Sequence, residues 1–237
     1  MTDVDTAHDA ERVSTDGSTA GRDPVPAVVD WLLALVAGAV GLVLTAVGIG
    51  LYTRVDRALI TEFVTAEGVE VNGLTRAEAI TAGVPFVDWF AVGIALTGLV
   101  FVVGAAAFVV ARRRTRDCVA RAGGTTATFW ACGVYGAAIT ALVSFVPGSA
   151  VVGGGAAAYL HGDSETRVGA AAGLVGWALT LPLLVFLAVG LVAGAGAIGE
   201  TAGGAVLAAI VVAGELLGLA VNAALGALGG FLVTKIA

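Results

Sequence analysis

Long charge-free stretches alternate with short charged ones along this chain, and the alternation predicts membrane helices. Residues 31–53 carry no charge. At about 1.5 Å per residue, Trp31 and Tyr52 stand about 31 Å apart on a helix axis, the hydrocarbon thickness of a bilayer, and each aromatic suits an interface. Residues 89–111 form a second such run, which stops at Arg112, Arg113, Arg114, Arg116 and Arg121. Between Ala122 and Gly162 no Asp, Glu, Lys or Arg occurs, and that run is interrupted at Val146-Pro147-Gly148. Proline lacks the amide donor and clashes with the preceding turn, so a break is expected there. Residues 126–145 are long enough for a full span, whereas 149–160 rise only about 18 Å, either a re-entrant half-helix or a thin crossing. Residues 168–199, interrupted by Pro182, and 201–237, broken only by Glu215 and Lys235, complete the pattern. The expected fold is all-α: a polytopic transmembrane bundle of about six membrane segments, with Pro/Gly-broken helices in its C-terminal part.

The polar segments set the organisation. Residues 1–26 are acidic and rich in Ser, Thr and Gly, a composition that cannot bury enough apolar surface to order itself, so a disordered tail is expected. Residues 27–125 read as a two-span region with a polar loop at 54–88, and 126–237 as a glycine-rich multi-span domain. Within the loop, Leu59, Ile60, Phe63 and Val64 share one helical face, and Thr75-x-x-Glu78 is a capping box, which predicts two short surface helices. The arginine cluster after the second run is a topology signal, placing that end in the cytoplasm, the 54–88 loop outside and the N-terminus inside. The acidic start lacks the basic segment of a cleavable signal peptide, so the first span is expected to direct insertion.

Composition agrees. Of 237 residues 58% are hydrophobic and 13% charged, with a mean hydropathy of +0.98, against about 25% charged in soluble domains. That excludes an ordinary soluble globular protein. Lys+Arg number 12 against 18 for Asp+Glu, with Lys235 the single lysine. Acidic excess with scarce lysine suits concentrated salt, where carboxylates hold hydration, and points to a halophile. The net charge of −6 offers nothing to nucleic acid. Cys118 and Cys132 are too isolated for a disulfide framework or a zinc site.

Candidate chemistry is sparse. Gly214, Gly218, Asn222, Gly226 and Gly230 recur every four residues in the last span, and Gly169, Gly173 and Gly176 earlier. Small residues at this spacing let helix backbones approach closely, within one chain or between copies. Glu215 lies deep in the last span with Asn222 two turns on, either a proton or cation site or a helix-packing lock. Pro147 with Gly153, Gly154 and Gly155 could line a broken-helix cavity or simply pack a short helix. Gly194-Ala-Gly196-Ala-Ile-Gly199 formally matches a dinucleotide fingerprint but lacks the strand-turn-helix context. His161 at a segment end has no second histidine nearby, and Ser144 and Ser149 have no base in a recognisable arrangement. No enzyme activity, cofactor or metal is expected; the expected partners are the lipid bilayer and either a second copy or another membrane protein.

The stretch Ser144-Phe-Val-Pro147-Gly-Ser-Ala-Val-Val-Gly153-Gly-Gly-Ala-Ala-Ala-Tyr159-Leu160-His-Gly, then Arg167-Val-Gly169-Ala-Ala-Ala-Gly173-Leu, resembles the haloarchaeal membrane proteins of the domain of unknown function five-five-one-eight. Leu225-Gly226-Ala-Leu-Gly229-Gly230-Phe231-Leu232 is similar to that family's last helix. The resemblance covers about residues 129–237 and departs at Ala157, where glycine is more usual. It implies a haloarchaeal cytoplasmic membrane and no assigned activity. The functional expectation is a structural or interaction protein packing through its glycine stripes, with a small channel or ion- or proton-coupled transporter built on Glu215 as the alternative.

Overall fold

The computed structural model describes residues 25–66, 73–162 and 166–236. The expected disordered tail therefore lies outside the described residues up to position 24, as do 67–72 of the polar loop and 163–165 of the later polar turn. Among the described residues there are eight helices and no strand: α1 Ala27–Arg54, α2 Arg57–Thr65, α3 Arg76–Ala122, α4 Phe129–Leu142, α5 Ser149–His161, α6 Thr166–Ala178, α7 Leu181–Ala197 and α8 Thr201–Ile236. Three are long and apolar enough to cross a membrane, namely α1, α3 and Thr201–Val233 of α8. A fourth span results if α6 and α7, bent by 45°, count as one. At 14 and 13 residues, α4 and α5 are each about 20 Å long, short of a hydrocarbon core of about 30 Å.

The segment between the first two long runs differs from the sequence expectation. The capping box forms: the Thr75 amide donates to Glu78 Oε2 at 2.8 Å, and the Glu78 amide donates to Thr75 Oγ1 at 3.3 Å. The helix it opens is not a separate surface piece, because it runs on through Pro85 for 47 residues to Ala122. Packing on α7 accounts for this. A Cβ added at Gly190 would stand 3.0 Å from the Phe86 carbonyl, and one added at Gly194 2.7 Å from that of Ala82, so α7 lies directly along the proline-containing turns. Burial there outweighs the propensity of one proline to end a helix.

Glycine sets the helix separations throughout. In the α1–α3 hairpin, a Cβ at Gly41 would lie 2.6 Å from the Gly98 carbonyl oxygen, and one at Gly48 2.6 Å from that of Ala91. Such seams place backbone on backbone. At the α7–α8 turn a Cβ at Gly204 would lie 2.8 Å from the Leu191 carbonyl oxygen. In the C-terminal bundle, Gly136 of α4 faces Gly153 and Ala157 of α5, while Gly154 of α5 and Gly169 of α6 both meet Gly226 of α8. The interior here is made of small side chains: Ala157, Val168 and Ala172 are fully buried, with Cys132 beside them. Ala157, the departure from the resembled pattern, sits in ordinary close packing.

Candidate functional site

A buried ionic cluster joins the two halves of the molecule. Asp30 lies in the first turn of α1, where the helix dipole favours a carboxylate, and is only 4% exposed. Arg112 and Arg116 are one turn apart on one face of α3. Asp30 Oδ2 accepts from Arg112 Nε at 3.2 Å and from Arg116 Nε and Nη2 at 3.2 and 2.7 Å. The Tyr135 hydroxyl of α4 donates to the other carboxylate oxygen, Oδ1. Arg112 Nη1 reaches on to the Thr126 carbonyl at 2.5 Å, and Arg116 Nη2 to the Val25 carbonyl at 3.0 Å. The Arg112 guanidinium also lies 5.7 Å from the centre of the Tyr135 ring, which Phe108 meets edge-on.

Arg112 is as deeply buried as Asp30, and an ion in such a place is tolerated only when paired and hydrogen-bonded. Both oxygens of the carboxylate are used, and its bonds to guanidinium are of the strong charge-assisted kind. Chemically the cluster is a clamp: it fastens α1 to α3 and both to α4. Sequence reasoning missed it by treating the arginines only as a topology signal. The available signal was Asp30, directly before the first apolar run, opposite in sign to Arg112, directly after the second, in a hairpin that brings those two ends together. Two further arginines of the sequence run lie outside the clamp: Arg113 stacks 4.7 Å from the Trp31 ring, and Arg121 bonds its own helix at Asp117.

The residues singled out in the sequence fall into separate places. Glu215 is half-buried and accepts a hydrogen bond from Trp177 Nε1 of α6 at 3.4 Å. Asn222 Nδ2 donates to the Gly218 carbonyl of its own helix at 2.9 Å, and its backbone faces Gly173. Both lie on the α6–α8 seam. Pro147 is exposed in the turn between α4 and α5. Gly153 faces Thr140 and Gly136 of α4, whereas Gly154 and Gly155 face Gly226 and Gly229 of α8. Gly226 is about 16 Å along α8 from Glu215 at helical pitch, so the glycine triplet and Glu215 do not share a site. A Cβ at Gly214 or Gly218 would meet nothing within 4 Å, while Gly230 is buried.

The Gly194–Gly199 stretch serves packing and a turn: Gly194 abuts α3, and Gly199 has φ +84° between α7 and α8. His161, half-buried, donates from Nδ1 to the Ala127 carbonyl at 2.9 Å, with Phe129 edge-on to its ring. Among the described residues no group of three or more His, Cys, Asp or Glu could hold a metal, and Cys118 and Cys132 are free thiols. The architecture has the class of a multi-pass helical membrane protein, with several apolar helices exposing large hydrophobic side chains. Compared with family models, curated proteins and solved structures, the chain matches none.

Proposed function

We propose that this is a structural or interaction protein of a haloarchaeal cytoplasmic membrane, related to the family of unknown function that its C-terminal part resembles, with its N-terminus and arginine cluster in the cytoplasm. About six segments enter the bilayer in this reading, α4 and α5 being the two that are too short for an ordinary crossing. The observation that carries it is the use of glycine. The α1–α3, α3–α7, α4–α5, α5–α8 and α6–α8 seams each set a glycine on a neighbouring helix, while the one carboxylate within the last span is held by Trp177. Gly226 of the α8 stripe, with its neighbour Gly229, is consumed inside the chain; Gly214 and Gly218 are open, and a second copy docks there.

Light scattering of the detergent-solubilised protein in high salt tests this, with photobleaching counts in liposomes beside it. The wild type self-associates, and the double substitution Gly214→Leu with Gly218→Leu yields monomers of unchanged helix content. A wild-type monomer under both conditions would overturn self-association. Liposome flux comparing wild type with Glu215→Gln separates the transport alternative: no flux above empty liposomes is expected, and a flux abolished by the variant would put Glu215 on a conduction path instead.

A further inference from the structure

Helix α2 has a wider apolar arc than α3 covers. At 100° per residue, Leu59, Phe63, Ile60 and Val64 lie side by side, and Ala58, Thr61 and Thr65 occupy the opposite side, with Arg57 at the boundary next to Val64 and Glu62 at the boundary next to Leu59. Ile60 and Val64 are buried at 8% and 7%, Ile60 against Gly83 of α3, yet Leu59 and Phe63 remain 50% and 69% exposed. They rim a largely apolar groove completed by Val55, Gly83 and Val87, with Glu62 at its edge. The helix is anchored at its start by Asp56, whose carboxylate accepts from the Leu59 amide at 2.9 Å.

The position of α2 decides what covers that face. Only Val55 and Asp56 separate it from α1, a link of about 7 Å at full stretch. The apolar span of α1 ends at the exposed Tyr52, and α3 carries the exposed Trp89 just beyond the groove. Such aromatics mark the membrane–water boundary. The uncovered apolar residues thus follow within a few residues on the outward-facing apolar surface of α1, with Arg57 on the far side of α2 and Glu62 at the edge of the groove.

We propose that α2 is an interfacial anchor: it lies at the lipid surface of the leaflet opposite the arginine cluster, with Leu59 and Phe63 inserted among the upper acyl chains and Arg57 and Glu62 in the headgroup layer. The occupant of the groove is lipid hydrocarbon. The anchor fixes the depth of the α1–α3 hairpin at the end where the Asp30 clamp is absent.

The test is collision-based depth measurement in phosphatidylcholine–phosphatidylglycerol vesicles at high salt, using the full chain with Cys118→Ser and Cys132→Ala. Leu59→Cys, Phe63→Cys, Thr65→Cys and Val43→Cys are spin-labelled one at a time. Labels at 59 and 63 collide several-fold more with oxygen and several-fold less with a water-soluble nickel chelate than the label at 65. Equal nickel access at 59, 63 and 65 would overturn the proposal in favour of a solvated helix; shielding of 59 and 63 from both reagents would overturn it in favour of a protein occupant. Val43, at mid-span, separates this from the membrane assignment itself, since water access there would sink that assignment first. Should the cysteine-free chain not fold, Phe63→Trp in the otherwise natural chain replaces it. Brominated-lipid quenching of the added emission is expected, and its absence would overturn the anchor.

Discussion

The α1–α3 hairpin and the α4–α6 cluster are stabilised by different means. In α1 only Asp30, Gly41 and Gly48 are buried out of 28 residues; the helix presents most of its surface outward and touches α3 along a glycine seam. In α5 six of 13 residues are buried, all of them alanine or glycine. Long helices that face lipid need few protein contacts, because lipid tails satisfy their side chains as well as protein does. Short helices cannot rely on spanning and must be held by neighbours on several sides. The hairpin therefore gains its fixed orientation from a polar clamp at one end, and the cluster gains its order from close backbone approach throughout.

Breaking the clamp gives the largest expected effect. Asp30→Ala removes the carboxylate that Arg112 and Arg116 share and Tyr135 donates to. Removing one member of a buried ionic group costs about 3–5 kcal/mol. Thermal unfolding in detergent is expected to shift accordingly, and hydrogen exchange should show α1 and the arginine end of α3 losing protection while α5 and α6 keep theirs. Uniform loss across all helices would show that the two regions are one cooperative unit.

Substitution at the shared glycine comes next. Gly226 is met by Gly154 of α5 and Gly169 of α6, backbone on backbone, so no flexible side chain can give way. Gly226→Val is expected to cost about 3 kcal/mol, the upper end for overpacking. Here the sign of the comparison reverses, with protection lost in α5, α6 and α8 and kept at the Asp30 clamp. An intact bundle with an unchanged melting temperature would refute the glycine seam.

A smaller effect is expected at the α6–α8 seam. Trp177→Phe deletes a single hydrogen bond of 3.4 Å to a half-buried Glu215, worth about 1 kcal/mol. If the bond locks packing, Glu215→Leu, which removes the acceptor, costs a similar amount, and the double variant costs little more than either single one. Full additivity would mean that the two side chains act separately.

Much of this architecture was legible in the hydrophobic pattern, and the part that was not has a common cause. The three long apolar runs in α1, α3 and α8 were visible because each is a local property of consecutive residues. The Thr75–Glu78 box is local too. Its sequel was not, since whether Pro85 ends a helix depends on α7 lying alongside. Asp30 and Arg112 are separated by 82 positions, and nothing near either one names the other. The glycine stripe of α8 was recognisable as a packing surface, yet its spacing is the same at Gly214, which is open, and at Gly226, which is occupied. Period reveals a surface fit for close approach, and only the tertiary arrangement tells which part is used.

That last distinction yields the smallest and sharpest prediction, in which one substitution changes sign with position. A methyl group at Gly214 or at Gly38 of α1 meets nothing within 4 Å, whereas at Gly226 or Gly41 it meets backbone of the neighbouring helix. Glycine in a helix interior is less favourable than alanine by about 0.5–1 kcal/mol. Gly38→Ala, and Gly214→Ala at a dilution where the chain is monomeric, should therefore gain about 0.5 kcal/mol each, while Gly226→Ala and Gly41→Ala lose stability through overlap. Melting temperatures of the four single variants check this, and the pairing matters more than any one value. A gain at 38 with a loss at 41, repeated at 214 and 226, would mean that hairpin and bundle use glycine for the same physical purpose despite their different burial. A loss at Gly214 in the monomer would place a neighbour where the fold has none, and would move the open half of the α8 stripe into the intramolecular core.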